Sequence, residues 1–197
     1  MVAGIILAAG FSRRMAGQNK LLLKLKGQTM IERVILAALA SDLDDLVVVY
    51  REQEIKEISD KYQLSTIENK NAIVGQSESI KLGVRSCSPQ SRAFVFFVGD
   101  QPFVTKDQIN QLIKSFNINQ DSIIVPLYAG KNGSPVLFPD CYKDRLLALT
   151  GDSGGRSIIK EGNCRIHYEM MSEGRAGMDI DTWDDYLKIK NVLNDKF

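Results

Sequence analysis

Four uninterrupted apolar runs dominate the hydrophobic pattern of this chain. They are rich in Val, Ile and Phe and do not alternate with polar residues, which is typical of strands covered on both faces of a parallel sheet. The runs extend over residues 2–8, 46–50, 93–98 and 122–127. We therefore predict four buried strands that belong to one sheet.

Segments with helical periodicity separate these runs. The first, TMIERVILAALA, starts with Thr29 and carries Glu32 three positions later, a pattern that predicts a capping box. REQEIKEISDKY and SESIKLGVRSC predict two further helices, and TKDQINQLIKSF predicts a fourth with Thr105 as its N-cap. Because strands and helices alternate with short connections, we expect an α/β fold with a mostly parallel, doubly wound sheet flanked by helices.

The alternation changes after residue 128. YAGKNGSPVLF holds Asn132-Gly133 between two β-prone runs, which predicts the turn of a small β-hairpin, and Pro135 favours an edge position. CYKDRLLAL predicts a helix, TGDSGGR a loop, CRIHYEMM a strand and TWDDYLKIKNVL a closing helix. A chain of 197 residues without an internal repeat is long enough for one sizeable core, so we expect a single domain over residues 1–197.

Composition and charge exclude several classes of function. The chain has 25 Lys+Arg against 24 Asp+Glu, and a net charge of +1 argues against a nucleic-acid or membrane-surface binder that relies on bulk positive charge. No run approaches the roughly 20 apolar residues that span a bilayer, and no leader pattern is visible, so we expect a cytoplasmic protein. The three cysteines are far apart and form no CxxC pair, which predicts reduced thiols and no zinc site.

The loop after the first predicted strand is the strongest candidate for a binding site. In IILAAGFSRRMAGQNKLLL, a turn of small residues leads into Arg13, Arg14 and Lys20. Gly10 permits close backbone approach, Ser12 offers a hydroxyl, and the N–H groups of such a loop can form an anion-binding concavity. The loop fits neither the Walker A pattern nor G-x-G-x-x-G. On physical grounds alone, phosphate binding and an ordinary solvated loop remain two open interpretations.

Carboxylates follow another predicted strand and precede the closing helix. Asp100 ends AFVFFVGD and leaves the sheet at the same edge as the opening loop, where ligands bind in open α/β sheets. Asp179 and Asp181 are two residues apart in GMDIDT and point the same way if extended. Carboxylate oxygens are preferred ligands of hard divalent cations. The alternatives are a turn or capping role for Asp100 and a dipole interaction of the later pair with the closing helix.

The segment LAAGFSRRMAGQNKLLL resembles the nucleotide-binding loop of Rossmann-like nucleotidyltransferases, whose pattern is LAAG-x-S-x-R-M-G-x-x-K. The branch it resembles most is that of the molybdenum cofactor cytidylyltransferases and their molybdopterin-guanine relatives. GQSESIKLGV, VGDQPFV, GSPVLF, GDSGGR and DIDTWDDY occur in that branch's order, so the resemblance covers nearly the whole chain. It implies a fold like that of nucleotide-diphospho-sugar transferases. Ala16 makes the loop one residue longer than the family pattern.

This resemblance implies a magnesium-dependent transfer of CMP from CTP to the terminal phosphate of molybdopterin, with release of pyrophosphate. It implies that Arg14 and Lys20 bind the triphosphate, that Asp100 and Asp181 hold Mg²⁺, and that Arg14, Lys20 and Asp100 are catalytic. It also places Asp152 and the rest of TGDSGGR near the second substrate, with a flexible surface loop as the alternative. The residues that it implies at the nucleotide are Leu7, Ala8, Ala9, Gly10, Ser12, Arg14, Lys20, Gly75, Ser79 and Asp100.

Base choice and partners follow from the same resemblance. In the family, LAAG accompanies cytidine and LAGG guanosine, so Ala9 implies CTP. The alternatives are a relative that uses GTP, one with a sugar or polyol phosphate as acceptor, and a non-catalytic maturation factor that carries the nucleotide or cofactor. The implied partners are CTP, a molybdopterin-type phosphate and, transiently, a molybdoenzyme or its maturation factor. A cap of the third predicted helix is a second interpretation of Ser79, and His167 is interpreted as structural.

Overall fold

The computed structural model describes residues 1–12, 18–172 and 177–194. The strands are β1 Val2–Ala8, β2 Lys24–Leu25, β3 Gln28–Thr29, β4 Asp45–Tyr50, β5 Ser65–Glu68, β6 Ala93–Val98, β7 Ile123–Tyr128, β8 Lys131–Asn132, β9 Val136–Pro139 and β10 Ile166–Met170. The helices are α1 Met30–Leu39, α2 Gln53–Asp60, α3 Gln76–Ser86, α4 Lys106–Ile118, α5 Lys143–Leu147, α6 Gly155–Lys160 and α7 Trp183–Asn194. No described helix has the length and apolar character that crossing a membrane requires.

The central sheet confirms the predicted α/β fold with a mostly parallel sheet. Its strand order is β10-β7-β9-β6-β1-β4-β5, and β8 pairs with β7. β1 lies between β4 and β6 and is parallel to both, whereas β8 and β9 are the antiparallel strands. Since the chain continues from β1 to β4 on one side and returns to β6 on the other, the carboxyl ends of β1 and β6 border the crevice where such folds bind ligands.

Burial on both faces explains why the strand sequences are continuously apolar. Ile6 and Ala8 of β1 pack into the core layer that α1, α2 and α4 cover. Ala3 and Ile5 point the other way, into the layer covered by α3, α5 and α6. Each face of the sheet thus has its own core, and β1 contributes to both.

Both predicted capping residues initiate helices as expected. Glu32 N donates to Thr29 Oγ1 at 3.3 Å and Thr29 N donates to Glu32 Oε2 at 3.4 Å, which completes a capping box at α1. Thr105 and Gln108 form the same reciprocal pair at α4. These bonds join residues three positions apart, so local sequence is sufficient to predict them.

The predicted hairpin exists, but the prediction of its turn at Asn132-Gly133 is wrong. β7 and β8 pair through Tyr128 and Lys131, so the turn lies at Ala129-Gly130, where φ is 47° and 78°. Gly133 serves packing instead, because a Cβ there would lie 2.4 Å from the Tyr128 ring. The edge prediction for Pro135 is also wrong: this residue directly precedes β9, which lies inside the sheet between β6 and β7.

The closing helix is fastened to the start of the chain. Tyr186 and Ile189 of α7 pack with Leu25 and Met30 in a small third core. The Tyr186 hydroxyl donates to the carbonyl oxygen of Lys24 at 2.9 Å. This packing places the segment before α7, which contains Asp181, beside the opening loop.

Candidate active site

A cavity of about 580 Å³ opens at the carboxyl ends of β1 and β6. Its size lies in the range of pockets that hold small ligands. Asp152 contributes to its wall, as do Ala72, Ile73 and Val74 from the segment before α3. The predicted nucleotide and metal residues that line it are Leu7, Ala9, Gly10, Ser12, Lys20, Gly75, Ser79, Asp100 and Asp181.

Two predicted residues do not join this wall in the described part of the chain. Ala8 is only 1% exposed and packs its methyl group into the core layer beneath α1. Its place among the lining residues is therefore corrected: successive strand residues point to opposite faces, so Ala8 faces away from the crevice. Arg14 lies outside the described residues, as do Arg13 and Ala16, and its expected contact with the triphosphate stays a prediction.

Lys20 connects two carboxylates that are far from it in the sequence. Its Nζ donates one hydrogen bond to Asp100 and another to Asp181 Oδ1, the latter at 2.9 Å. Burial alone would lower the pKa of Lys20, but the charges and hydrogen bonds of both carboxylates outweigh this effect and raise the pKa above its ordinary value. Lys20 is therefore positively charged, and its ammonium lies in the wall of the cavity between the two carboxylates.

The described ends of the opening loop are tied together by polar contacts. Lys20 N donates to Ser12 Oγ at 3.2 Å, and Ser12 itself has φ 47°, in the left-handed region. Asn19 Oδ1 accepts from Leu21 N at 3.0 Å and caps the short 3-10 turn that begins at Lys20. A Cβ on Gly10 would meet no atom of the described residues within 4 Å, so these residues leave space for a ligand beside this glycine.

A glycine contact holds the opposite end of the cavity. Gly75 has φ +131°, and a Cβ there would lie 2.3 Å from Gly151 O. Ser77 Oγ donates to the same oxygen at 2.7 Å. Asp152 Oδ1 accepts from Gln76 N at 3.2 Å and so caps α3 from the TGDSGGR loop. The loop is thereby fastened to the start of α3, and Asp152 reaches the cavity.

Ser79 is held by a buried asparagine. Ser79 is the fourth residue of α3, and Gly75 occupies the N-cap position, so the helix-cap interpretation of Ser79 is wrong. Its Oγ accepts from Asn69 Nδ2 at 2.8 Å, and Asn69 is only 1% exposed. Because that bond uses the hydroxyl as an acceptor, its hydrogen stays available to a ligand in the cavity. Sequence analysis did not identify Asn69, since a single asparagine in a loop carries no distinctive pattern.

The segment before α7 carries two carboxylates, Asp179 and Asp181, and each binds a side chain that is far from it in the sequence. Thr182 caps α7, because Asp185 N donates to Thr182 Oγ1 at 3.2 Å, and a dipole interaction of Asp179 and Asp181 with this helix stays the alternative. Asp179 Oδ1 accepts from Gln101 Nε2 at 2.7 Å. The pKa of Asp179 is raised above its ordinary value, chiefly because burial removes hydration from the carboxylate. The charges of Asp100 and Asp181 raise the pKa further, whereas the Gln101 hydrogen bond and the charge of Arg156 lower it in part.

Sequence analysis also missed an aromatic contact beside the opening loop. The guanidinium of Arg51, which follows β4, lies 4.2 Å from the centroid of the Phe11 ring. Phe11 lines the cavity directly after Gly10. The contact joins loops that follow two adjacent strands, so only the strand order brings it about.

The carboxylate pair fits a divalent metal with oxygen ligands. Among the described residues, no three His, Cys, Asp or Glu side chains gather into a metal-binding group. Mg²⁺ is commonly held by one or two carboxylates, with waters and substrate phosphates completing its shell. Asp100 and Asp181 supply two such carboxylates, and both already bind a cationic group, the Lys20 ammonium.

The sequence matches the MobA-like NTP transferase domain over residues 4–167. The chain belongs to this family. PucB of Bacillus subtilis, a purine catabolism protein, is 30% identical over 202 residues, which cover 97% of each chain. The probable molybdenum cofactor guanylyltransferase of Natranaerobius thermophilus is 33% identical over 137 residues, 66% of this chain and 62% of that one.

A solved structure agrees with the fold of this MobA-like domain over its length. The Rv0371c homolog from Mycobacterium sp. strain JC1 superposes with a TM-score of 0.86 and 27% sequence identity, covering 98% of this chain and 97% of that one. The structural match includes the region beyond residue 167, where the family match ends.

Proposed function

We propose that this MobA-like protein transfers CMP from CTP to the terminal phosphate of molybdopterin and releases pyrophosphate. One observation carries the proposal: Lys20 lies between Asp100 and Asp181 in the cavity at the strand-order crevice. Transfer of a nucleotidyl group brings two phosphate anions together. A site for it therefore needs cations for the phosphate oxygens and carboxylates for a metal.

Mg²⁺ is the proposed metal, with Asp100 and Asp181 as its protein ligands. When bound, a divalent cation supplies positive charge to the phosphate oxygens around the transferred phosphorus. The Rv0371c protein of Mycobacterium tuberculosis has been solved in complex with manganese. That protein shares the fold, with a TM-score of 0.82 at 22% identity over 96% of this chain and 98% of that one. That complex supports the proposal of a divalent metal, and the choice of Asp100 and Asp181 as its ligands rests on the chemistry of this carboxylate pair.

The residues of the chain then position the triphosphate and stabilise the charge that develops on it. Lys20 offers an ammonium, Gly10 leaves room for close approach, and Arg14 is the proposed guanidinium contact to the phosphates. The attacking phosphate is already anionic at neutral pH, so the reaction needs no strong general base. Orientation and electrostatic stabilisation account for most of the catalysis.

The base would lie at the end of the cavity that Ala9, Gly75 and Ser79 line. The Ser79 hydroxyl, oriented by Asn69, can donate to a carbonyl oxygen of the base. The Ala9 methyl group takes up space that a larger purine would use, which favours CTP. The curated relative from Natranaerobius thermophilus is named a guanylyltransferase, so GTP is the specific alternative.

The acceptor would approach from the side of the TGDSGGR loop. Asp152 lines the cavity there, and the charge of Arg156 acts on Asp179. A cation in this position suits a phosphate-bearing acceptor such as molybdopterin. Transient contact with a molybdoenzyme or its maturation factor, and a cytoplasmic location, belong to the same proposal.

Pyrophosphate release measured with two triphosphates and three acceptor conditions tests this function. CTP with molybdopterin should give stoichiometric pyrophosphate, while CTP alone and CTP with a polyol phosphate should give little. GTP with molybdopterin should react at least about tenfold more slowly. A faster reaction with GTP would refute the cytidylyl assignment. A reaction of CTP with the polyol phosphate but not with molybdopterin would refute molybdopterin as the acceptor. Nucleotide binding without turnover under every condition would indicate a carrier protein.

A further inference from the structure

The Lys20 side chain already fills the position between the two carboxylates. Its Nζ donates to Asp100 and, at 2.9 Å, to Asp181 Oδ1. The side chains of Lys20, Asp100 and Asp181 are 14%, 19% and 35% exposed, so solvent screens their charges only in part. One ammonium thus occupies the carboxylate pair that is also the proposed metal site.

The backbone of Lys20 is anchored by contacts that do not involve its ammonium. Lys20 N donates to Ser12 Oγ, and Asn19 caps the turn that begins at Lys20. A lysine ammonium is a compact charge at the end of a flexible four-carbon stem. Since Lys20 lines an open cavity, its ammonium can leave the carboxylates while the loop keeps its course.

The carboxylate pair cannot hold the ammonium and a divalent cation equally well. Like charges at short distance repel strongly in a site that is shielded from water. A triphosphate in the same cavity offers the ammonium other acceptor oxygens, because phosphate oxygens form strong charge-assisted hydrogen bonds. Departure of Lys20 toward a triphosphate would therefore remove its ammonium from Asp100 and Asp181 and let their negative charge attract the metal.

We infer that Lys20 is an exchangeable counter-cation of Asp100 and Asp181, so that a divalent metal binds tightly only together with a nucleoside triphosphate. This inference rests on the proposed function, which takes the cavity as the site of both ligands. By thermodynamic linkage, the metal raises the affinity for the triphosphate by the same factor. Without substrate, the site keeps a neutralising charge of its own and has little affinity for the metal.

Binding of Mn²⁺ to the protein without nucleotide tests the inference directly. The electron paramagnetic resonance signal of free Mn²⁺ measures binding and requires no turnover. Lys20→Met keeps an unbranched side chain that is one atom shorter and removes the charge, so it should bind Mn²⁺ at least about tenfold more tightly than the wild type. Lys24→Met removes an exposed charge nearby and should leave Mn²⁺ binding unchanged.

Two further variants locate the effect and guard against misfolding. Adding Asp100→Asn to Lys20→Met should abolish the gain, because the tighter Mn²⁺ binding needs both carboxylates. Lys20→Gln replaces the ammonium by an amide that can still donate to the carboxylates, so it substitutes for Lys20→Met if that variant fails to fold. In either folded Lys20 variant, an unreactive CTP analogue should enhance Mn²⁺ binding less than it does in the wild type.

The Mn²⁺ binding experiment and the pyrophosphate assay can fail independently of each other. If the folded Lys20 variants bind Mn²⁺ no more tightly than the wild type, the inference is overturned, even if the wild type releases pyrophosphate from CTP. If they bind Mn²⁺ more tightly while the wild type is inactive with every triphosphate, the counter-cation stands and the proposed transfer is refuted.

Discussion

The two ends of the cavity are built in different ways. The charged end consists of Lys20, Asp100 and Asp181, which are joined by side-chain ion pairs. The other end, which is the proposed base end, has Gly75 and Ser79 in its wall. A buried hydrogen bond from Asn69 to Ser79 and the backbone packing of Gly75 join it to the fold. We therefore expect that substitutions at the charged end change the chemistry and leave the fold intact, whereas substitutions at the proposed base end change packing as well as the proposed nucleotide selection.

The charged end should show the largest effect on the reaction. Asp100→Asn keeps the shape of the side chain but removes a carboxylate from Lys20 and from the proposed metal. We expect turnover at saturating Mg²⁺ to fall by about a hundredfold or more. The free energy of unfolding, measured with urea, should change by less than about 1 kcal/mol, because the Asn side chain can still accept from Lys20 and Asp181 remains its charged partner.

Asp107→Asn is the matched control for this variant. Asp107 is an exposed aspartate in the first turn of α4, so its neutralisation should leave turnover unchanged. Wild-type turnover in Asp100→Asn would remove Asp100 from the mechanism and with it the distinction between the two ends of the cavity.

At the proposed base end, disruption of the Gly75 contact should lower the stability of the protein. Gly75→Ala forces a side chain into φ +131° and against Gly151 O, so we expect the free energy of unfolding to fall by about 2 kcal/mol or more. In Gly10→Ala the new Cβ would meet none of residues 1–12, 18–172 and 177–194 within 4 Å, so that free energy should change by less than about 0.5 kcal/mol. Equal urea midpoints for the two variants would contradict the role assigned to this contact.

Loss of the buried hydrogen bond between Asn69 and Ser79 should weaken nucleotide binding. Asn69→Ala leaves the Ser79 hydroxyl without its donor, so the KM for CTP should rise about tenfold with a smaller change in kcat. Asn71→Ala changes an exposed neighbour that bonds to Asn69 through its backbone N–H, and its KM should stay near the wild-type value. A decrease in kcat alone would mean that Ser79 does not contact the bound nucleotide.

The smallest effect is expected from the methyl group beside the proposed base. Ala9→Gly should narrow the preference for CTP over GTP by a few-fold, because one methyl group supplies only modest discrimination. Ala8→Gly removes the neighbouring methyl group from the core and should lower stability while leaving the CTP to GTP ratio unchanged. Competition between the two triphosphates measures this ratio, and an unchanged ratio in Ala9→Gly would mean that Ala9 does not select the base.

Local patterns predicted most of the regular elements. The bounds of β1 and β6 coincide with the apolar runs at residues 2–8 and 93–98, because burial on both faces leaves no polar position to interrupt a strand. The hairpin turn failed for a local reason as well. Asn132-Gly133 has a favoured turn sequence, but Ala129-Gly130 adopts the positive φ angles, and Gly133 is needed against Tyr128.

The sequence by itself determined the α/β class, the helix caps and the strand ends from which Gly10 and Asp100 emerge, since these depend on residues a few positions apart. Only the tertiary structure decided that Lys20 binds Asp100 and Asp181, which are 80 and 161 positions away. Such contacts depend on the strand order and on the packing of α7 against β2 and the start of α1. No local sequence pattern predicts the strand order or the packing of α7. Both are selected by the free energy of burying surfaces that are remote from each other in the chain.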